Sequence, residues 1–252
     1  MKVQHPVSMQ HITPPLSAAV YSPLVLAIYD AWVLGISNTY AWRCSTRQVL
    51  IPFFERHIGR RHLDVGVGTG YYLEHARLPA HTQLTLLDSN SNCLVSAQRR
   101  LSRRPMSLVH HDVTYDASAK LCEKFDSISA FYLLHCLSGN MHDKSAAIAN
   151  LAACLKGNGV FYGATILGSV GVHNRFGRLL MRAYNQRGIF GNRDDTVSSL
   201  KAALGRQFGE VQVRLHGGVA LFEARQPFVA DVNSNDTFQQ NTSAEADTHH
   251  VD

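Results

Sequence analysis

Three glycines spaced two apart and preceded by an acid form the segment of this chain best suited to chemistry, Asp64-Val-Gly-Val-Gly-Thr-Gly70. Gly66, Gly68 and Gly70 permit positive φ and close approach of the backbone to a ligand, and a helix opening behind them turns its first amides toward that ligand. Asp64 is placed to accept from a cationic amine. Eighteen residues after Gly70, Leu84-Thr-Leu-Leu-Asp88 ends a second apolar run in a carboxylate. From the end of a second strand, that carboxylate reaches both hydroxyls of a ribose in the crevice of an open α/β sheet. The two acids and the loop together call for an adenosine-type ligand.

Nicotinamide cofactors also use a glycine turn followed by an acid, and the glycine spacing separates the two cases. Their fingerprint is GxGxxG, whereas here the third glycine comes one position early and Tyr71 occupies the last place. Asp64 argues the same way, because a carboxylate beside a pyrophosphate repels it and a carboxylate beside the ammonium of a methionine moiety attracts it.

These residues need strands that end together and helices that lead away. Apolar residues recur at helical spacing over 16–36 and 45–58, with Ser45 or Thr46 placed to cap the second stretch. Strands are then expected at 61–67, 83–88, 106–111, 126–131 and 159–166, separated by helices at 71–77, 92–102 and 141–155. Two more helices fall between 173 and 204, and the Gly217-Gly218 turn joins strands 211–215 and 219–224 into an antiparallel hairpin at the sheet edge. The alternation implies right-handed crossovers and a doubly wound parallel α/β sheet covered on both faces. Residues 1–15 read as a flexible arm, 16–228 as one domain with a helical cap at 16–58 and inserted helices at 168–205, and 229–252 as a disordered tail.

A chain of 252 residues with 45% apolar and 17% charged residues has enough core to fold without disulfide or metal support. The net charge is +5, and because the tail holds five acids and no Lys or Arg, the body before it carries +10. Spread over that length, the surplus favours solubility and implies no nucleic-acid partner without a basic groove. The five cysteines form no CxxC pair, and no HExxH or paired Cys/His spacing accompanies the 14 histidines, so no metal site is expected. The longest apolar stretch, 24–36, contains Asp30 and is too short to span a bilayer. With no basic region leading into a signal core, a cytoplasmic location and no membrane partner are expected.

The segment Asp64 to Gly70 resembles the first motif of the class I S-adenosylmethionine-dependent methyltransferases, D/E-x-G-x-G-x-G, over its full length. The resemblance continues through Asp88, His111-Asp-Val113, the strand and turn from Phe125 to His135, and Leu155-Lys-Gly-Asn-Gly-Val-Phe161. It implies a seven-stranded sheet of order 3-2-1-4-5-7-6 with the last strand antiparallel, and S-adenosyl-L-methionine as cofactor. The implied cofactor set is Asp64, Gly66, Gly68, Thr69 and Gly70 in the loop, Asp88 and Ser89 at the ribose, Asp112 and Val113 at the adenine, and Phe131, with Tyr132, beside the methionine part. Two positions depart from the family pattern, His111 where glycine is frequent and Phe131 where a polar residue is common. The Asn/Asp-Pro-Pro-Tyr/Phe element of the enzymes acting on adenine N6 and glutamine is absent at 130–133. The short chain, its aromatic N-terminal cap and its glycine-rich block at 168–192 are similar to small fungal or bacterial methyltransferases of secondary metabolism.

The resemblance therefore implies methyl transfer to an oxygen or nitrogen of a small-molecule acceptor, most often a secondary metabolite. The alternative is a non-methylating protein that keeps the fold to bind or rearrange a biosynthetic intermediate. His135 is the candidate catalytic base, against the plainer reading of a helix-start histidine in a polar contact. Tyr21, Tyr29 and Trp42 are candidates for a substrate wall, or simply pack on the sheet. His173 stands in a block that either binds substrate or merely turns the chain. Arg43 meets an acid or is solvated, and the arginine run at 98–104 reads as a helix end. The oligomeric state is left open.

Overall fold

A computed structural model describes residues 30–116, 121, 124–169 and 171–228. The expected arm, residues 16–29 of the expected cap, the tail, and Tyr21 and Tyr29 lie outside the described residues. Helices α1 (Asp30–Ala41), α2 (Thr46–Leu50) and α3 (Ile51–Arg56) precede the sheet, and the Ser45 hydroxyl caps α2 by accepting from the Gln48 amide at 3.2 Å. Both α1 and α2 are π-wound.

Strands β1 (Arg61–Val65), β2 (Gln83–Asp88), β3 (Met106–His110), β4 (Phe125–Phe131), β5 (Leu155–Ile166), β6 (Phe208–His216) and β7 (Val219–Pro227) form one sheet of order β3-β2-β1-β4-β5-β7-β6. The first five are parallel and β7 runs antiparallel to both neighbours. The hairpin's second strand thus lies inside the sheet and β6 forms the edge. Helices α4 (Tyr71–His75), α5 (Ser91–Arg100) and α6 (Ser145–Ala153) make the crossovers, while α7 (Arg175–Gln186) and α8 (Val197–Gly205) lie between β5 and β6.

The two-residue period of β1 sorts its side chains between two cores. Leu63 and Val65 pack with Ile128, Phe161 and the buried faces of α6 and α8. On the opposite face, with Leu84, Leu86, Phe54 and Tyr162 around them, stand His62 and Asp64, both buried. No described helix is long and apolar enough to cross a membrane.

Two boundaries differ from the sequence expectation for local reasons. Helix α6 begins at Ser145, not near 141, because side chains take up the local amides: Asn140 Oδ1 accepts from the His142 amide at 2.8 Å and the Asp143 amide at 3.3 Å, and Asp143 Oδ2 accepts from the Asn140 amide at 2.8 Å. It ends at Ala153, because Cys154 already offers its carbonyl to the Phe125 amide and Leu155 pairs with Phe125. Strand β5 therefore starts four residues before Gly159, and its pairing with β4 shifts register between Phe125 and Ser127.

Candidate active site

The tip of β1, the glycine loop, the start of α4 and the end of β4 enclose a crevice lined by Asp64, Gly66, Gly68, Thr69, Tyr72 and Phe131, with Val67, Tyr71 and Tyr132 completing it. All three glycines have positive φ, at 69°, 55° and 76°. A Cβ on Gly70 would stand 3.1 Å from Ala97 Cβ, so this glycine sets the close packing of the loop on α5. A Cβ on Gly68 would meet nothing within 4 Å, so the loop turns its bare face at that residue toward open space. Gly68→Ala is therefore expected to fold, at a cost of about 1–2 kcal/mol for the left-handed conformation, and to lose S-adenosylmethionine binding, read by calorimetry beside a thermal melt. Retained binding in the folded variant would show that the ligand does not approach this backbone.

Parallel register places Asp64 beside Ser129 and His62 beside Ser127. These side chains form a buried polar chain: Ser129 Oγ donates to Asp64 Oδ1 at 2.5 Å, His62 Nε2 lies 3.2 Å from Ser129 Oγ, and His62 Nδ1 lies 2.8 Å from Ser127 Oγ. Burial lowers the His62 imidazole to about 3, so it is neutral and offers Asp64 no counter-charge. Burial pushes the Asp64 carboxyl up to about 7, the Ser129 bond opposes that, and repulsion from Asp88 adds to it. Asp64 makes no ion pair with a described residue. A buried acid with neutral neighbours at the mouth of a crevice favours a cationic ligand group.

Asp88 is likewise buried, and burial raises its carboxyl. Its Oδ2 accepts from the Gly68 amide at 3.2 Å and its Oδ1 from the Asn90 amide at 2.9 Å, which fixes the carboxylate between the glycine loop and the start of α5. The Cys93 thiol bonds the same carboxylate, which leaves one lone pair for a ligand hydroxyl. The two acids and the open face at Gly68 are groups that fit S-adenosylmethionine.

Of the other expected cofactor residues, Thr69 and Phe131 line this crevice, while Ser89, Asp112 and Val113, like Asp88, are not part of its lining. Thr69 is buried and its hydroxyl accepts from Arg100 at 2.9 Å. Ser89 is exposed beside Asp88, and its carbonyl bonds His110 Nε2 at 3.0 Å. Past β3, Asp112 Oδ1 accepts from the Thr114 amide at 2.9 Å, and the Val113 side chain enters the core. Phe131 packs its ring on Tyr72 at 4.8 Å.

His135 is placed differently from the expectation of a free base. Its ring is buried between Tyr132 and Phe190, and Nδ1 accepts from the Ile166 amide at 3.2 Å. Burial, with the charge of Lys144 nearby, lowers it to about 3. A ring in that state is a weak proton acceptor and serves to tie the turn after β4 to the end of β5. Trp42 and His173, both expected at the acceptor, meet each other edge to face at 5.8 Å and are buried.

Sequence reasoning missed two contributors, Ser129 and His62, which were visible as polar residues repeating at period two inside apolar strands. Tyr132 lines the crevice beside Phe131, adopts φ 60° and donates its hydroxyl to Asn38 at 2.8 Å, with no local signal for that conformation. Among the described residues no three His, Cys, Asp or Glu side chains gather as metal ligands.

A family described as "Methyltransferase domain" matches residues 63–161, from β1 into β5. The chain is 42% identical over 220 residues to the physcion biosynthesis cluster O-methyltransferase of Aspergillus chevalieri, covering 87% of this chain and 99% of that one. It is 38% identical over 220 residues to the O-methyltransferase adaD of Aspergillus niger, covering 83% and 88%. Among solved structures, the N-methyltransferase NodS of Bradyrhizobium japonicum in complex with S-adenosyl-L-homocysteine shares the fold at a TM-score of 0.59, with 18% identity, 84% of this chain and 99% of that one. With these relatives spanning nearly their full length, the chain belongs to the class I S-adenosylmethionine-dependent methyltransferases and is an enzyme of that family.

Proposed function

We propose that this enzyme methylates a hydroxyl oxygen of a small molecule of secondary metabolism. The observation that carries the reading is the 42% identity, over nearly the whole length of each chain, to an O-methyltransferase of a fungal biosynthetic cluster. S-adenosylmethionine, when bound, supplies a methyl already activated on a sulfonium. The chain's own work is then to hold, to align and to keep water out. Asp64 holds the cationic end of the donor and Asp88 its sugar, while Phe131, Tyr72 and Tyr132 give the crevice an aromatic wall that excludes water. The commitment of His135 to the Ile166 amide favours an acceptor acidic enough to ionise without a dedicated base, as a phenol is.

The test is to incubate the full chain with S-adenosylmethionine and a panel of phenols and matched aromatic amines, following S-adenosylhomocysteine release and a mass gain of one methyl. Methylated phenols support the reading. Turnover confined to the amines overturns it in favour of nitrogen.

The Asp64 carboxyl gives the reading a pH signature. Its folded value of about 7 lies above the ordinary 3.8, so its stabilising contribution is complete below 3.8 and is lost as pH rises through about 7. The ligand needs the charged form, so affinity for S-adenosylmethionine is expected to rise with pH up to about 7 and then level, with proton release on binding at pH 6. Calorimetry in two buffers of different ionisation enthalpy measures that release, and Asp64→Asn should remove it. Equal release in the variant would assign the proton elsewhere.

A further inference from the structure

A second cavity, of about 430 Å³, opens beside α7 and is distinct from the donor crevice. Its buried lining comes from His173 and Met181, and the guanidinium groups of Arg178, Arg182 and Arg193 surround it from exposed positions. Residues 171–193 contain five arginines and no acid. Arg178 and Arg182 lie one helical turn apart on the same side of α7, and the turn after α7 brings in Arg193. Arg178 is fixed by donating to the His173 carbonyl at 2.6 Å. Neither Arg182 nor Arg193 makes a side-chain hydrogen bond or ion pair with a described residue. Of the two acids that follow Arg193, Asp194 is exposed and Asp195 is buried against Lys144, and neither lines the cavity. Like charges held round one concavity repel and lower stability unless an anion offsets them.

A series of ring contacts runs from the cavity to the donor crevice. His173 meets Trp42 at 5.8 Å, Trp42 meets Phe190 at 6.2 Å, Phe190 meets His135 at 4.5 Å and His135 meets Tyr132 at 5.4 Å. Tyr132 is itself a wall of the donor crevice. The volume is that of an ordinary small-ligand pocket.

From this geometry we propose that the cavity binds an anionic oxygen group, a carboxylate or a phosphate, carried by the methyl acceptor, and that Arg178, Arg182 and Arg193 determine specificity for it. The inference deepens the proposed methylation by naming a charge on its acceptor. Planar guanidinium groups pair such oxygens in bidentate fashion, and one of the three is already held in place.

The test titrates the full chain, saturated with S-adenosylhomocysteine, with benzoate, phenyl phosphate and neutral benzyl alcohol, followed by protein NMR shifts. At least one anion is expected to bind about tenfold more tightly than benzyl alcohol, and the better of the two identifies carboxylate or phosphate. Arg182→Ala/Arg193→Ala is expected to weaken that anion by about tenfold or more, with S-adenosylhomocysteine affinity unchanged and the melting temperature of the anion-free protein no lower. Equal binding of the neutral probe, binding by neither anion, or full anion affinity in the double variant overturns the inference. Failure of the O-methylation reading shows separately, as turnover confined to amines, and leaves these titrations unaffected.

Discussion

Asp88→Ala is expected to weaken S-adenosylmethionine binding by about ten- to hundredfold, because a hydrogen bond from the donor to a carboxylate, worth ~1.5–3 kcal/mol, is lost. The variant should still fold. Asp88 is a buried acid whose own desolvation opposes ionisation, so its removal relieves one cost while leaving the Gly68 and Asn90 amides without their acceptor. Asp88→Asn keeps the shape and one carbonyl oxygen and should fall between the two. Calorimetric affinity beside a melting curve checks the claim. Unchanged affinity in a folded Asp88→Ala protein would mean that the carboxylate serves only to hold the glycine loop.

Breaking the ion pair beneath the second cavity should have the largest effect on stability. Lys144 Nζ lies 2.5 Å from Asp195 Oδ2, both side chains are fully buried, and Nζ also donates to the Gly191 carbonyl at 2.8 Å. Asp195 Oδ1 has no hydrogen-bond partner among the described residues. Asp195→Ala leaves a buried ammonium with only a carbonyl to hold it, at a cost of about 3–5 kcal/mol, or roughly 10 °C in melting temperature for a domain of this size. The double replacement Lys144→Met/Asp195→Leu removes both charges and should recover most of the loss. A melt of the three proteins decides it, and a single variant as stable as the parent would mean that water reaches Lys144. The pair joins the start of α6 to the turn carrying Asn192 and Arg193, so the single variant should also loosen the basic cavity.

The legible part of the donor site was local. The loop from Asp64 to Gly70 and the strand ending at Asp88 carry their signal in consecutive residues, because strand period, glycine conformation and helix start are all short-range properties. Helix ends were less legible where side chains compete with the backbone, as Asn140 and Asp143 do before α6. His135 illustrates a different gap. A histidine after a strand has the composition of a base, and only the approach of Ile166 from a neighbouring strand decides that its lone pair is already used.

The remaining features arise from contacts between residues far apart in the chain. Trp42 meets His173, Lys144 meets Asp195, and Arg193 joins two arginines of α7 round one cavity. The amino-acid order alone determined a doubly wound sheet with an adenosine-type crevice after its first two strands, since hydrophobic period and glycine chemistry act within a few residues. The tertiary structure alone decided which polar groups lose water and which charges stay unpaired, because burial and Coulomb interaction depend on distance in space and not on separation along the chain.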